Sequence, residues 1–188
     1  LKRYRKDITA WIIIILFISV LFIIYNQTND RYRDLGEDTL PANKLDPVVA
    51  EKTEQLVRKV AKQNIDVVIT EKVRSIKRQN KLYQQGRSEK GSIVTYAKGG
   101  ESYHNYGLAV DYAIRNNEGK IIWDTSYDGN GNGKSDWFEA ADIAKELGFE
   151  WGGDWNKFKD YPHLQMDFGL SIRQLQKGLR PSHESDKK

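Results

Sequence analysis

Two of the three histidines in this 188-residue chain, His104 and His163, stand beside carboxylates at spacings that suit metal ligation. If residues 109–114 form a strand, alternation puts Ala109, Asp111 and Ala113 on one face and Val110, Tyr112 and Ile114 on the other. A lone carboxylate is costly to bury, and the flanking alanines leave room for an ion beside Asp111. Alternation over residues 163–168 likewise separates His163, Gln165 and Asp167 from Leu164, Met166 and Phe168. Two imidazoles and a carboxylate are the ligand set of a catalytic zinc, with a fourth tetrahedral position left for water. Such an ion lowers the pKa of its water towards neutrality, so a carboxylate is needed to take the proton. Asp160, three residues before His163 with Pro162 stiffening the approach, fits that role. Arg74, at the junction of a strand and a helix, supplies positive charge for a substrate carboxylate or a developing oxyanion. His183, in a polar tail, receives no role.

A second metal signal stands apart. Asp128, Asn130, Asn132 and Glu139 occupy the oxygen-ligand positions of a calcium loop, with Gly133 at its turn, and point to a structural calcium clip. Ser135 replaces the usual apolar residue, and a glycine-asparagine turn capping the helix that starts at Trp137 explains the same residues without an ion.

The elements that must position these groups read as α+β, a small and mainly antiparallel sheet packed with helices. Asp46-Pro47 starts a helix carrying Val49, Leu56, Val57 and Val60. Residues 66–70 read as a strand and 75–85 as a helix closed by Gly86. Further strands are expected at 93–96, 109–114, 121–123, 149–151 and 163–168, with residues 116–119 turning a hairpin. Residues 137–147 form a helix stopped by Gly148, and a last helix begins near Ser171. Trp123, Trp137, Trp151 and Trp155 read mostly as packing, with a saccharide-contacting groove as the other use of such rings.

The absence of cysteine excludes thiol nucleophiles, thiolate zinc sites and disulfides. Net charge is only +4, and most of the excess lies at Lys2, Arg3, Arg5 and Lys6 rather than on a folded face, which argues against a nucleic-acid partner. Residues 8–25 are almost wholly apolar and, at 1.5 Å per residue, span roughly 27 Å as a helix. They are read as an uncleaved transmembrane helix preceding the domain. The basic stub 1–7 is then cytoplasmic, and the rest lies outside a single-pass cell membrane of Gram-positive type. Residues 26–46 are expected to be a linker, 47–180 the catalytic domain and 181–188 a polar tail.

The pattern Ser102-x-His104-x-x-Gly107-x-Ala109-x-Asp111, followed by Asp160-x-x-His163, resembles the M15 metallopeptidases, the D-alanyl-D-alanine carboxypeptidase and VanY group. The likeness runs from about Asp66 to Phe168. It includes Val73-Arg74-Ser75 with Gln79, residues 82–87, and Trp151-Gly152-Gly153-Asp154-Trp155, and is strongest to the CwlK-like L-alanyl-D-glutamate endopeptidases. The resemblance implies zinc on His104, Asp111 and His163, Asp160 as base, Arg74 as the electrostatic group, and substrate contacts from Arg74, Ser102 and Gln79. Many M15 carboxypeptidases have glutamate where this chain has Asp160, a difference that, together with the long N-terminal anchor, favours cleavage within the peptidoglycan stem peptide, at L-Ala-D-Glu, over removal of a terminal D-Ala. The expectation is a membrane-anchored, zinc-dependent peptidoglycan hydrolase. The alternatives are a D-alanyl-D-alanine carboxypeptidase of the same family and a non-catalytic wall-binding module. A two-acid glycosidase would leave the histidines unexplained.

Overall fold

The computed structural model describes residues 2–29 and 31–183 and falls into two compact units, residues 1–39 with 173–188, and residues 40–172. The first unit contains the helix α1 (Lys2–Asn29) and the strand β1 (Tyr32–Asp34). The second carries α2 (Pro47–Ala61), β2 (Asp66–Glu71), α3 (Ile76–Gln84), β3 (Ala109–Arg115), β4 (Ile121–Ile122), α4 (Asp136–Glu146), β5 (Glu150–Trp151) and β6 (His163–Gln165). The chain ends with α5 (Ile172–Gln176) and β7 (Leu179–Pro181).

The N-terminal helix forms, but the transmembrane role and the single-pass membrane location expected for it are overturned. Among the described residues no helix is long and apolar enough to cross a membrane. Within residues 26–46, the expected linker, the short strand β1 forms. Tyr32, Arg33 and Asp34 pair antiparallel with Pro181, Arg180 and Leu179, a partner too distant in sequence for local periodicity to reveal. Residues 184–188 of the expected polar tail lie outside the described residues.

In the second unit Asp46 caps α2 by accepting the Val48 N–H, and Pro47 sits at a first-turn position where its missing N–H costs nothing. The apolar stripe Val49, Leu56 and Val60 is fully buried, and the Thr53 hydroxyl within it donates to the Val49 carbonyl. The sheet runs β2-β3-β6-β5, with β4 also on β3, and its named pairs are all antiparallel. Helix α2 packs against β2 and α4, and α4 against β3 and β5. Val110, Tyr112 and Ile114 are completely buried, and the Tyr112 hydroxyl donates to the Trp137 carbonyl of α4 at 3.0 Å. That side of β3 is therefore the core side. Asp111 belongs to the opposite side, which is left for chemistry.

Two expected strands differ. Residues 93–96 are irregular, with Ile93, Val94 and Tyr96 exposed, because they lie along a cavity and pair with no strand. The strand starting at His163 stops at Gln165. Asp167 there accepts the Gly169 N–H and Phe168 takes a φ of 53°, a turn geometry that ends the alternation.

Candidate active site

The site is assembled by register. On β3 and β6, Asp111 stands directly opposite His163, and on β2 and β3, Glu71 stands opposite Asp111 after a bulge between Ile69 and Glu71. His104 enters from a short 3-10 turn, Tyr103–Tyr106, that precedes β3. Gly107 ends that turn with a φ of 72°, and a Cβ there would lie 2.4 Å from the Lys44 carbonyl oxygen, so glycine is required on both counts. The buried Asn105 side chain donates to the Arg74 carbonyl, and the Arg74 N–H donates to the His104 carbonyl, tying the turn to the start of α3.

His104 Nε2 lies 3.1 Å from Asp111 Oδ1 and 3.2 Å from His163 Nδ1, and His163 Nδ1 lies 3.3 Å from the same Asp111 oxygen. Both imidazoles are held from behind. The Lys72 carbonyl can only accept, so His104 Nδ1–H donates to it at 2.7 Å and Nε2 turns its lone pair inward. Glu150 accepts from Gln165 Nε2 at 2.9 Å, which turns Gln165 Oε1 towards His163. His163 Nε2–H donates to that oxygen at 3.0 Å, and its Nδ1 lone pair also faces inward.

Three inward lone-pair donors, two neutral nitrogens and an anionic oxygen, are the chemistry a divalent ion satisfies. Among the described residues this is the group of three that could hold a metal. The spacing also fits, because a tetrahedron with bonds of about 2.0 Å has edges of about 3.3 Å. Burial by itself would raise Asp111. Its contacts with His104 and His163 more than offset that and hold the carboxyl far below the usual range, so Asp111 faces the cavity as an anion.

The triad forms part of the wall of an open cavity of about 700 Å³, also lined by Arg74, Ser102, Asp160, Trp155 and Phe158. Asp160 is raised by burial and by the charge of Asp111, partly opposed by His163. Gly152 accommodates the loop that carries it. A Cβ there would meet the Asp160 carbonyl oxygen at 2.4 Å, and the Asp160 N–H donates to the Gly152 carbonyl. Arg74 is buried, with Nη2 donating to Asp111 at 2.8 Å and to Glu71 at 3.0 Å, and Nη1 to Gln79 at 2.9 Å. Gln79 is itself fully buried and does not line the cavity. It holds Arg74 and donates to the Ala97 carbonyl.

The structure therefore brings His104, Asp111, His163, Asp160, Arg74 and Ser102 to one cavity and sets Gln79 behind it. Sequence reasoning missed Glu71, Lys72, Gln165 and Glu150 as supports. Gln165 was within reach, since it shares His163's face two residues on, whereas Glu71 and Glu150 depend on strand register. Of the tryptophans, Trp137 and Trp151 are core, whereas Trp155 and the exposed Trp123 line the cavity, with the Trp155 ring 5.2 Å from that of His163.

The calcium expectation is not supported. Asn130 and Asn132 each present an NH2 group, not an oxygen, to Glu139, at 3.2 and 2.7 Å. The two oxygens of Asp128 accept the N–H groups of Gly131, Asn132 and Gly133. The loop is a self-satisfied turn leading into α4.

An antiparallel α+β frame that aims two imidazoles and a carboxylate into an open cavity belongs to the class of metal-dependent hydrolases. A family model described as D-alanyl-D-alanine carboxypeptidase, an M15 peptidase model, matches residues 95–166. The chain is 54% identical over 158 residues to the peptidoglycan L-alanyl-D-glutamate endopeptidase CwlK of Bacillus subtilis (strain 168), covering 84% of this chain and 95% of that protein. It is 36% identical over 122 residues to the L-alanyl-D-glutamate peptidase of Listeria phage A118, covering 64% of this chain and 38% of the phage protein. The crystal structure of the L-Ala D-Glu endopeptidase ChiX of Serratia marcescens aligns with a TM-score of 0.48 at 22% identity, over 70% of this chain and 84% of that one. The chain belongs to the M15 peptidase family and is a metallopeptidase.

Proposed function

We propose that this peptidase cleaves the L-alanyl-D-glutamate bond of peptidoglycan stem peptides, with a zinc ion held by His104 Nε2, Asp111 and His163 Nδ1. The observation that carries the reading is the convergence of those three atoms at 3.1–3.3 Å on one cavity wall. The extent of the likeness to the Bacillus endopeptidase supports the choice of bond. Zinc, when bound, supplies Lewis acidity that makes water a nucleophile near neutral pH and polarises the scissile carbonyl.

The chain's own residues do the rest. Asp160, ionised and half-buried, accepts the proton of the attacking water and delivers it to the departing amine. Its raised pKa makes it a better base than an exposed aspartate. Arg74 places a fixed positive charge beside the triad, where negative charge grows on the carbonyl oxygen, and Gln79 and Glu71 lock its guanidinium so that no reorganisation is needed. Ser102 lines the cavity and contacts substrate. Lys72, Gln165 and Glu150 hold the two imidazoles in their ligating tautomers.

The description of the matching family model favours a second reading, removal of a terminal D-Ala. Incubation of the zinc-loaded chain with defined muropeptides, followed by mass spectrometry, separates the two. Release of the stem from D-Glu onward supports endopeptidase cleavage, loss of one terminal alanine supports the carboxypeptidase, and intact substrate contradicts both.

A further inference from the structure

Two guanidinium groups line the cavity, and they are held very differently. Arg74 is buried and bonded to Asp111, Glu71 and Gln79. Arg78, in the first turn of α3, faces the same cavity with its side chain 52% exposed, and Glu71 Oε1 stands 3.6 Å from its Nε. Glu71 serves both arginines, since its other oxygen is the partner of Arg74. A line of charge thus runs from the triad through Asp111, Arg74 and Glu71 to Arg78. Glu71 meets Arg74 at 3.0 Å but stands 3.6 Å from the half-exposed Arg78, so the outer guanidinium is the more loosely held of the two. Glu101, another acid of the wall, already accepts the Lys98 N–H. Leu82 lines the cavity a turn beyond Arg78 on the same face of α3, so this wall presents a cation followed by an apolar step.

We propose that Arg78 is a carboxylate subsite that selects substrates carrying a free carboxylate next to the scissile bond. The proposal rests on the L-alanyl-D-glutamate reading. A glutamate acylated on its amine has two carboxyls, only one of which continues the chain, and the other is the anion Arg78 takes. A guanidinium meets a carboxylate through two parallel N–H···O bonds. A carboxamide at the same place offers one oxygen and no charge. Exposed ion pairs are weak in open water, but the walls formed by Leu82, Val94 and Phe158 reduce the screening.

The test uses the full chain and two probes, the tripeptide L-Ala-D-Glu-L-Lys joined through the glutamate side-chain carboxyl and the same peptide with its α-carboxyl converted to an amide. Steady-state kinetics are measured with both, and binding by calorimetry with turnover blocked by Asp160→Asn. The wild-type chain is expected to prefer the acid. Arg78→Ala should raise KM and Kd for the acid roughly tenfold, the size of losing a charge-assisted hydrogen bond, with kcat and the amide values little changed. Arg78→Lys should keep part of the preference. Equal effects of Arg78→Ala on both peptides, or no acid preference in the wild-type chain, overturn the proposal. If neither peptide is cleaved while the acid still binds better through Arg78, the endopeptidase reading falls and the subsite stands.

Discussion

Ligand and base residues are separable by substitution. His104→Ala should lose both zinc binding and cleavage, whereas Asp160→Asn should still bind one equivalent of zinc and lose about 10²- to 10⁴-fold in kcat. Metal analysis alongside single-substrate kinetics checks both. Asp160 also sets a pH dependence. It works as a base only when ionised, and burial raises its pKa, so activity falls with acidification at a higher pH than an ordinary carboxylate near 3.9 would give. The acid limb of kcat/KM against pH measures this, and a limb at the ordinary position would remove Asp160 as the base. The residues proposed for the reaction could be picked from the sequence because ligand types are few, and the fold brings them to one cavity. Gln79 and Arg74 were legible as residues but not as a pair. That Gln79 sits behind Arg74 follows from the packing of α3 against residues 95–97, which no local pattern encodes.

At the scale of elements, the site depends on turns that only glycine tolerates. Gly107→Ala meets the Lys44 carbonyl and an unfavourable φ together, and should cost about 2 kcal/mol or more in urea denaturation. Tyr112→Phe removes only the hydroxyl bonded to Trp137 and should cost about 1 kcal/mol by the same measurement. Helix α2 could be read because its cap Asp46 and an apolar stripe lie within one short stretch, and α4 because Trp137, Ala140, Ala141 and Ala144 bury one face of it. The strand ends could not. The alternation over 163–168 continues past Gln165, but the turn at Asp167 and Phe168 breaks it. Residues 93–96 have the composition of a strand and no neighbouring strand to pair with.

At the scale of the molecule, metal and fold should be linked. The triad brings a carboxylate and two imidazoles together in a buried place, and an ion that binds only the folded state stabilises it by about 4 kcal/mol at a thousandfold excess over Kd. Chelation should therefore lower Tm, and zinc should restore it in the wild-type chain but not in His104→Ala. The N-terminal run shows the opposite limit of sequence reading. Its apolar composition suggested a membrane span, and the described helix does not meet the length and apolarity such a span requires. Pairing of β1 with β7 depends on chain ends that no window of sequence joins.

The most direct test is anomalous diffraction at the zinc edge from crystals of the zinc-loaded chain. The account predicts one peak within about 2.0–2.2 Å of His104 Nε2, an Asp111 oxygen and His163 Nδ1, with Asp160 facing the open side. A peak held by other side chains, or none at this place in a chain that still cleaves peptide, would contradict it.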